Sequence, residues 1–118
     1  MLYIIINDKY KQDVQKTITN YIQQHYPKVD IKIQETGQIY ESQHHTNLYF
    51  IVNKHGLDIA QYIRNHDQGG HIVLVTENID YTQLFRSHIR FLGVIDSNHD
   101  VQAEIEDYID FAMKNQMF

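Results

Sequence analysis

The chain has 118 residues, 42% of them hydrophobic, with a single proline, so it fits one domain with one core and is too apolar for a disordered segment. Its formal net charge of −5 argues against a general nucleic-acid-binding surface, and the absence of cysteine excludes disulfides, thiolate metal sites and thiol redox sensing. No apolar run reaches the roughly 18 residues of a membrane span, and Leu2 to Ile6 is too short for a signal-peptide core. The N-terminus therefore reads as the start of the fold, in a protein expected in a reducing cytoplasm.

Leu2 to Ile6 is an unbroken β-branched and aromatic run, the pattern of a strand buried on both faces in a parallel sheet. Asn7 and Asp8 end it. From Tyr10 to about Tyr26, Val14, Ile18, Tyr21 and Ile22 share one helical face, and Pro27 stops the helix. Val29 to Ile33 alternates as an edge strand does. Residues 36–47 read as a polar loop with a short helix. Leu48 to Val52 is a second buried strand. Gly56 opens a helix carrying Leu57, Ala60 and Ile63 and ending near Asn65; Gly69-Gly70 is a turn. Ile72 to Val75 is another apolar strand, closed by Thr76. Tyr81 to about Ile89 is a short helix with Tyr81, Leu84, Phe85 and Ile89. Phe91 to Ile95 is the fifth strand. A last helix from about His99 to Lys114 carries Val101, Ile105, Tyr108, Ile109 and Ala112, with Asp96, Ser97 or Asn98 as its cap.

Strands alternating with helices imply an α/β fold with a parallel sheet. We expect a flavodoxin-like, CheY-like (βα)5 doubly wound arrangement with strand order 2-1-3-4-5. In such a sheet the ligand crevice lies beyond the carboxyl ends of the strands. Here those ends are Asn7-Asp8-Lys9, Val52-Asn53-Lys54, Thr76-Glu77 and Ile95-Asp96-Ser97.

The stretch Gly56-Leu57-Asp58-Ile59-Ala60-Gln61-Tyr62-Ile63-Arg64, followed by His66-Asp67 and Ile72-Val73-Leu74-Val75-Thr76, resembles the third helix and fourth strand of response regulator receiver domains. Ile4-Ile5-Ile6-Asn7-Asp8-Lys9 with Lys11-Gln12, and Leu48-Tyr49-Phe50-Ile51, are similar to the same family. The group most resembled is the LytTR-type quorum-sensing regulators of Gram-positive bacteria, the accessory gene regulator A group. The resemblance spans residues 1–118 and rests on the order and spacing of the motifs. It implies a two-component transcriptional regulator in which a LytTR DNA-binding domain follows the receiver.

In that family, carboxylates at the end of the first strand hold Mg²⁺, and an aspartate ending the third accepts the phosphoryl group. A Thr or Ser ending the fourth bonds the phosphoryl oxygen, and a Lys ending the fifth neutralises it. The chemistry needs hard oxygen ligands for the metal and positive charge opposite the phosphoryl oxygens. In this chain the acidic cluster reads Asn7-Asp8-Lys9, and the acceptor falls on Val52 or, one residue on, Asn53. Thr76 is kept. The lysine position falls on Asp96, and the aromatic switch position on Gly93. The resemblance therefore implies a degenerate pocket, a pseudo-receiver with no catalytic residues and no cofactor. Asp58, just inside a helix start, is a candidate substitute acceptor, although that placement equally suits a favourable contact with the helix dipole.

The expected partner is a second copy or another protein, with DNA reached only through the following domain and no membrane contact. Phe85, Phe91, Tyr108 and Phe111 lie on the elements that commonly form the dimer face in receivers, and core packing is the alternative role for each. The eight histidines include no i, i+4 pair on an expected helix, so no metal site is expected. There is no GxGxxG after the first strand, no GxxxxGK[ST], and no nucleophile elbow, which argues against nucleotide binding and triad hydrolysis. The competing reading is a small-ligand or enzymatic α/β domain using Asp8, Thr76 and Asp96 in the crevice.

Overall fold

The structure, a computed structural model, describes residues 2–6, 12–35, 46–54, 56–77 and 79–118. Five strands form one sheet: β1 (Leu2–Ile6), β2 (Ile31–Glu35), β3 (Leu48–Val52), β4 (His71–Thr76) and β5 (Gly93–Asp96). Their spatial order is β2-β1-β3-β4-β5, and every neighbouring pair is parallel. Four helices are described: α1 (Gln12–His25), α2 (Gly56–His66), α3 (Tyr81–Ser87) and α4 (Gln102–Lys114). The short helix expected within 36–47 falls almost wholly outside the described residues.

Every position of β3 is apolar and buried because both faces of the sheet are covered there. Leu48, Phe50 and Val52 of β3 join Val73 and Val75 of β4 and Ile95 of β5 on one face. They pack against Val14, Ile18 and Ile22 of α1 and Ile105, Ile109 and Ala112 of α4. Tyr49, Ile51, Ile72 and Leu74 point the other way, onto Ile59, Ala60 and Ile63 of α2. Each fully buried isoleucine contributes roughly 1.5–3 kcal/mol relative to exposure. The spacing 14, 18, 22 and 105, 109, 112 is what brings these residues onto one stripe of each helix.

Glycine at 56 sets how closely α2 starts against the sheet. A side chain there would overlap the tip of Leu74.

Several expected boundaries move. β2 begins at Ile31 rather than Val29, because Val29 is held in the turn after α1 by its N–H to the Tyr26 carbonyl (3.1 Å). β5 begins at Gly93 rather than Phe91, although Leu92 already donates to the Ile72 carbonyl (2.7 Å). α3 ends at Ser87 because His88 takes a left-handed conformation (φ 56°), which leaves Ile89 beyond the helix. α4 begins at Gln102, and neither Asp96, Ser97 nor Asn98 caps it. Asp100 accepts the Gln102 N–H at 3.0 Å instead.

Candidate functional site

The carboxyl edge of the sheet is built by strand register. Thr76 and Asp96 are paired at the ends of β4 and β5, and Val52 is paired with Val75. Side chains alternate along a strand. Val75 and Val52 therefore face the α1/α4 core, while Thr76 follows Leu74 onto the α2/α3 side. Val52 is completely buried in that core, so the acceptor position of the first alignment is occupied by packing. Asn53, one residue on, is the one that meets Thr76 across the edge. Its N–H donates to the Val75 carbonyl (3.3 Å), and it is only 2% exposed. Asn53, Thr76 and Asp96 thus form one row on one face.

Thr76 is buried and donates its hydroxyl to the Glu77 carbonyl at 3.1 Å. Asp96 organises the turn that follows it. Its Oδ1 accepts the Asn98 N–H (2.9 Å), its backbone carbonyl accepts from His99 (3.4 Å), and its Oδ2 lies 3.5 Å from His99 Nε2. This is the local role an aspartate plays in an Asx turn. Ser97, also buried, extends the ladder by donating its N–H to the Thr76 carbonyl (2.9 Å). Asn7, Asp8 and Lys9 lie outside the described residues.

Gly93, the aligned switch position, falls on the α1/α4 face, where the Tyr108 ring covers it. Its neighbour Val94 packs on Thr76's side of the sheet. An aromatic residue at position 93 would therefore have no line to Thr76.

A small cleft of about 140 Å³ opens between the starts of α2 and α3, walled in part by Lys54, Gly56, Asp58, Thr76, Glu77 and Asp80. Asp80 is already engaged as the α3 N-cap, accepting the Gln83 N–H at 3.0 Å. Asp58 is exposed at its rim, in the first turn of α2. Asp96 is not part of its wall, so Thr76 and Asp96 do not share this cleft. Among the described residues no three His, Cys, Asp or Glu side chains come together as a metal site.

The four aromatic residues expected on one face are divided. Phe91 is half-buried against the α2-side core and Tyr108 against the α1/α4-side core. Phe85 and Phe111 are exposed, by 83% and 50%. Tyr81, one turn before Phe85 on α3, is also exposed, and α3 contains no buried residue.

Two polar clusters had no signal in the sequence, because their partners are far apart along the chain. Tyr21 and Tyr26 both donate their hydroxyls to the Asp110 carboxylate, at 2.7 and 2.6 Å, joining α1 to α4. Arg64 of α2 donates to the carbonyls of Gln68 (2.9 Å), Gly70 (2.6 Å) and Arg90 (2.7 Å), tying α2 to the approaches of β4 and β5.

No family model matches the chain, and no curated protein matches it. Among solved structures it is similar to the response regulator receiver domain from Rhodospirillum rubrum, with a TM-score of 0.60 over 96% of this chain and 94% of that one. The identity is 14%, so the likeness is one of fold: the chain folds like a response regulator receiver domain.

Proposed function

We propose that this is a receiver-type regulatory domain that works through protein contacts without being phosphorylated. The observation that carries the reading is the Asn53, Thr76, Asp96 row. A receiver's phosphoryl group is carried on a carboxylate at the end of the third strand. Val52 there is hydrocarbon, and the amide of Asn53 cannot form an acyl phosphate. Across the row, Asp96 brings a negative charge where the phosphoryl oxygens need a positive one. A like charge there opposes phosphoryl binding by Coulomb repulsion.

The natural context is a LytTR-type regulator of the accessory gene regulator A group, in the cytoplasm, with DNA contacted by a separate module. The net charge of −5 supports leaving DNA to another domain. Dimerisation through α3 is part of the proposal. Tyr81 and Phe85 stand four residues apart, both exposed, on a helix with no fully buried residue, whose Leu84 packs half-buried against the α2-side core.

The test is incubation with acetyl phosphate and Mg²⁺ followed by intact-mass measurement. The mass stays unchanged on this reading, and an adduct of one phosphoryl group overturns it. Sedimentation across a concentration series tests the second part. Self-association that weakens in Phe85→Ser supports it, and a monomer at every concentration removes it.

A further inference from the structure

At the opposite edge of the sheet from Thr76, a groove of about 690 Å³ runs between the end of α2, the start of β4 and the segment leading into β5. Arg64, His71, His88 and Arg90 stand along it, and Phe91 and Leu92 supply apolar wall. Among the described residues no carboxylate lines it. The nearby acid, Asp67, is turned inward, where its Oδ2 accepts from Tyr49 Oη (2.7 Å) and Asn47 Nδ2 (3.0 Å). A cationic groove in a chain of net charge −5 is a local concentration of positive charge against the general field.

Arg64 is committed to three backbone carbonyls, so its position is fixed by the fold. Burial holds its guanidinium below the ordinary arginine range; the Asp67 charge works against that, and the Arg90 charge adds to it. Two like charges are thus held near each other. Arg90 and His88 are exposed and can turn toward a ligand.

We infer that this groove binds a short acidic segment of a partner protein, with carboxylates at Arg90 and the histidines and an apolar side chain against Phe91 and Leu92. The volume lies within the range of about 300–1,000 Å³ typical of ligand sites and far exceeds what one small anion fills. The apolar wall gives a bare anion nothing to contact. A long polyanion such as nucleic acid meets the negative field of the whole domain, whereas a short acidic peptide meets the groove alone. This inference is independent of whether the pocket beside Thr76 can be phosphorylated.

The experiment is a titration of the ¹⁵N-labelled chain at low salt with an acetylated Glu-Leu-Glu-Glu-Leu-Glu peptide, followed by amide shifts. Saturable shifts are expected at His71, His88, Arg90 and Leu92. Arg90→Glu should weaken binding about fivefold, the scale of one exposed charge pair reversed, and Arg90→Lys should preserve it. Lys28→Glu, with the same change in net charge outside the groove, should bind as the parent does. Absent or scattered shifts overturn the inference. So does equal weakening by Lys28→Glu, or equally tight binding of an oligothymidylate of matched charge. The Arg90 side chain is exposed, and unchanged amide dispersion in the variants confirms that they are folded.

Discussion

The Tyr26 hydroxyl reaches 2.6 Å from an oxygen of Asp110, closing a bond between the end of α1 and the middle of α4 across 84 residues of chain. Tyr21 donates to the same carboxylate, so one acid anchors two phenols. Hydrogen bonds to a charged acceptor exceed neutral ones. Asp110→Ala removes that acceptor and leaves both half-buried hydroxyls to water, at a cost of about 1–2 kcal/mol. Urea denaturation should show this as a lower midpoint with an unchanged slope.

The same cluster predicts a pH dependence. The Tyr26 and then the Tyr21 hydroxyl bonds hold the Asp110 carboxyl below the ordinary aspartate range. The pairing pushes both phenols up. A carboxyl whose value is depressed on folding stabilises the fold above its unfolded value, near about 3.9, and that contribution is lost as pH falls through the folded value. The parent should therefore lose stability in acid more steeply than Asp110→Asn. Equal acid slopes in the two proteins would show that Asp110 titrates as an unperturbed surface group.

The edge of the sheet makes a sharper claim about positions 52 and 53. Val52→Asp places a carboxylate at a completely buried position on the α1/α4 face, in the cluster that holds Val14, Val75 and Ile95. An unpaired buried charge there should cost at least about 3 kcal/mol. Asn53→Asp changes an already polar position in the Thr76 row and should cost clearly less. Thermal melts of the two variants decide between them. If Val52→Asp were the milder change, the register drawn here would be wrong, and the acceptor position would belong one residue earlier.

These contrasts mark what could be read from residues alone. Leu48 to Val52 was legible to the residue, because a strand covered on both faces must be apolar throughout. The α1 stripe of Val14, Ile18 and Ile22 was legible from its period. Strand ends were less so: Val29 and Phe91 are apolar enough to extend a strand, and Val29 is excluded only by a turn bond to the Tyr26 carbonyl formed in three dimensions. At the site, the lack of a carboxylate at both Val52 and Asn53 was visible, but which of them meets Thr76 depends on register with β4. The four aromatics divide between the two roles open to them: Phe91 and Tyr108 pack against the core, and Phe85 and Phe111 are exposed. Spacing along α4 assigns Tyr108 to a face, but it does not reveal that a glycine on β5 leaves a hollow for its ring.

That hollow gives a last prediction. Gly93 lies in a strand, where valine is intrinsically the better residue, so propensity alone expects Gly93→Val to stabilise by a few tenths of a kcal/mol. The Tyr108 ring stands where the new side chain would go. Overpacking of this kind costs about 1–3 kcal/mol and should dominate. The two residues must then be coupled: Gly93→Val should be much less costly in a Tyr108→Ala background, where the ring is gone. A double-mutant cycle in urea measures this directly. Additive changes would mean that Tyr108 swings aside freely and that the glycine is there only for the turn into β5.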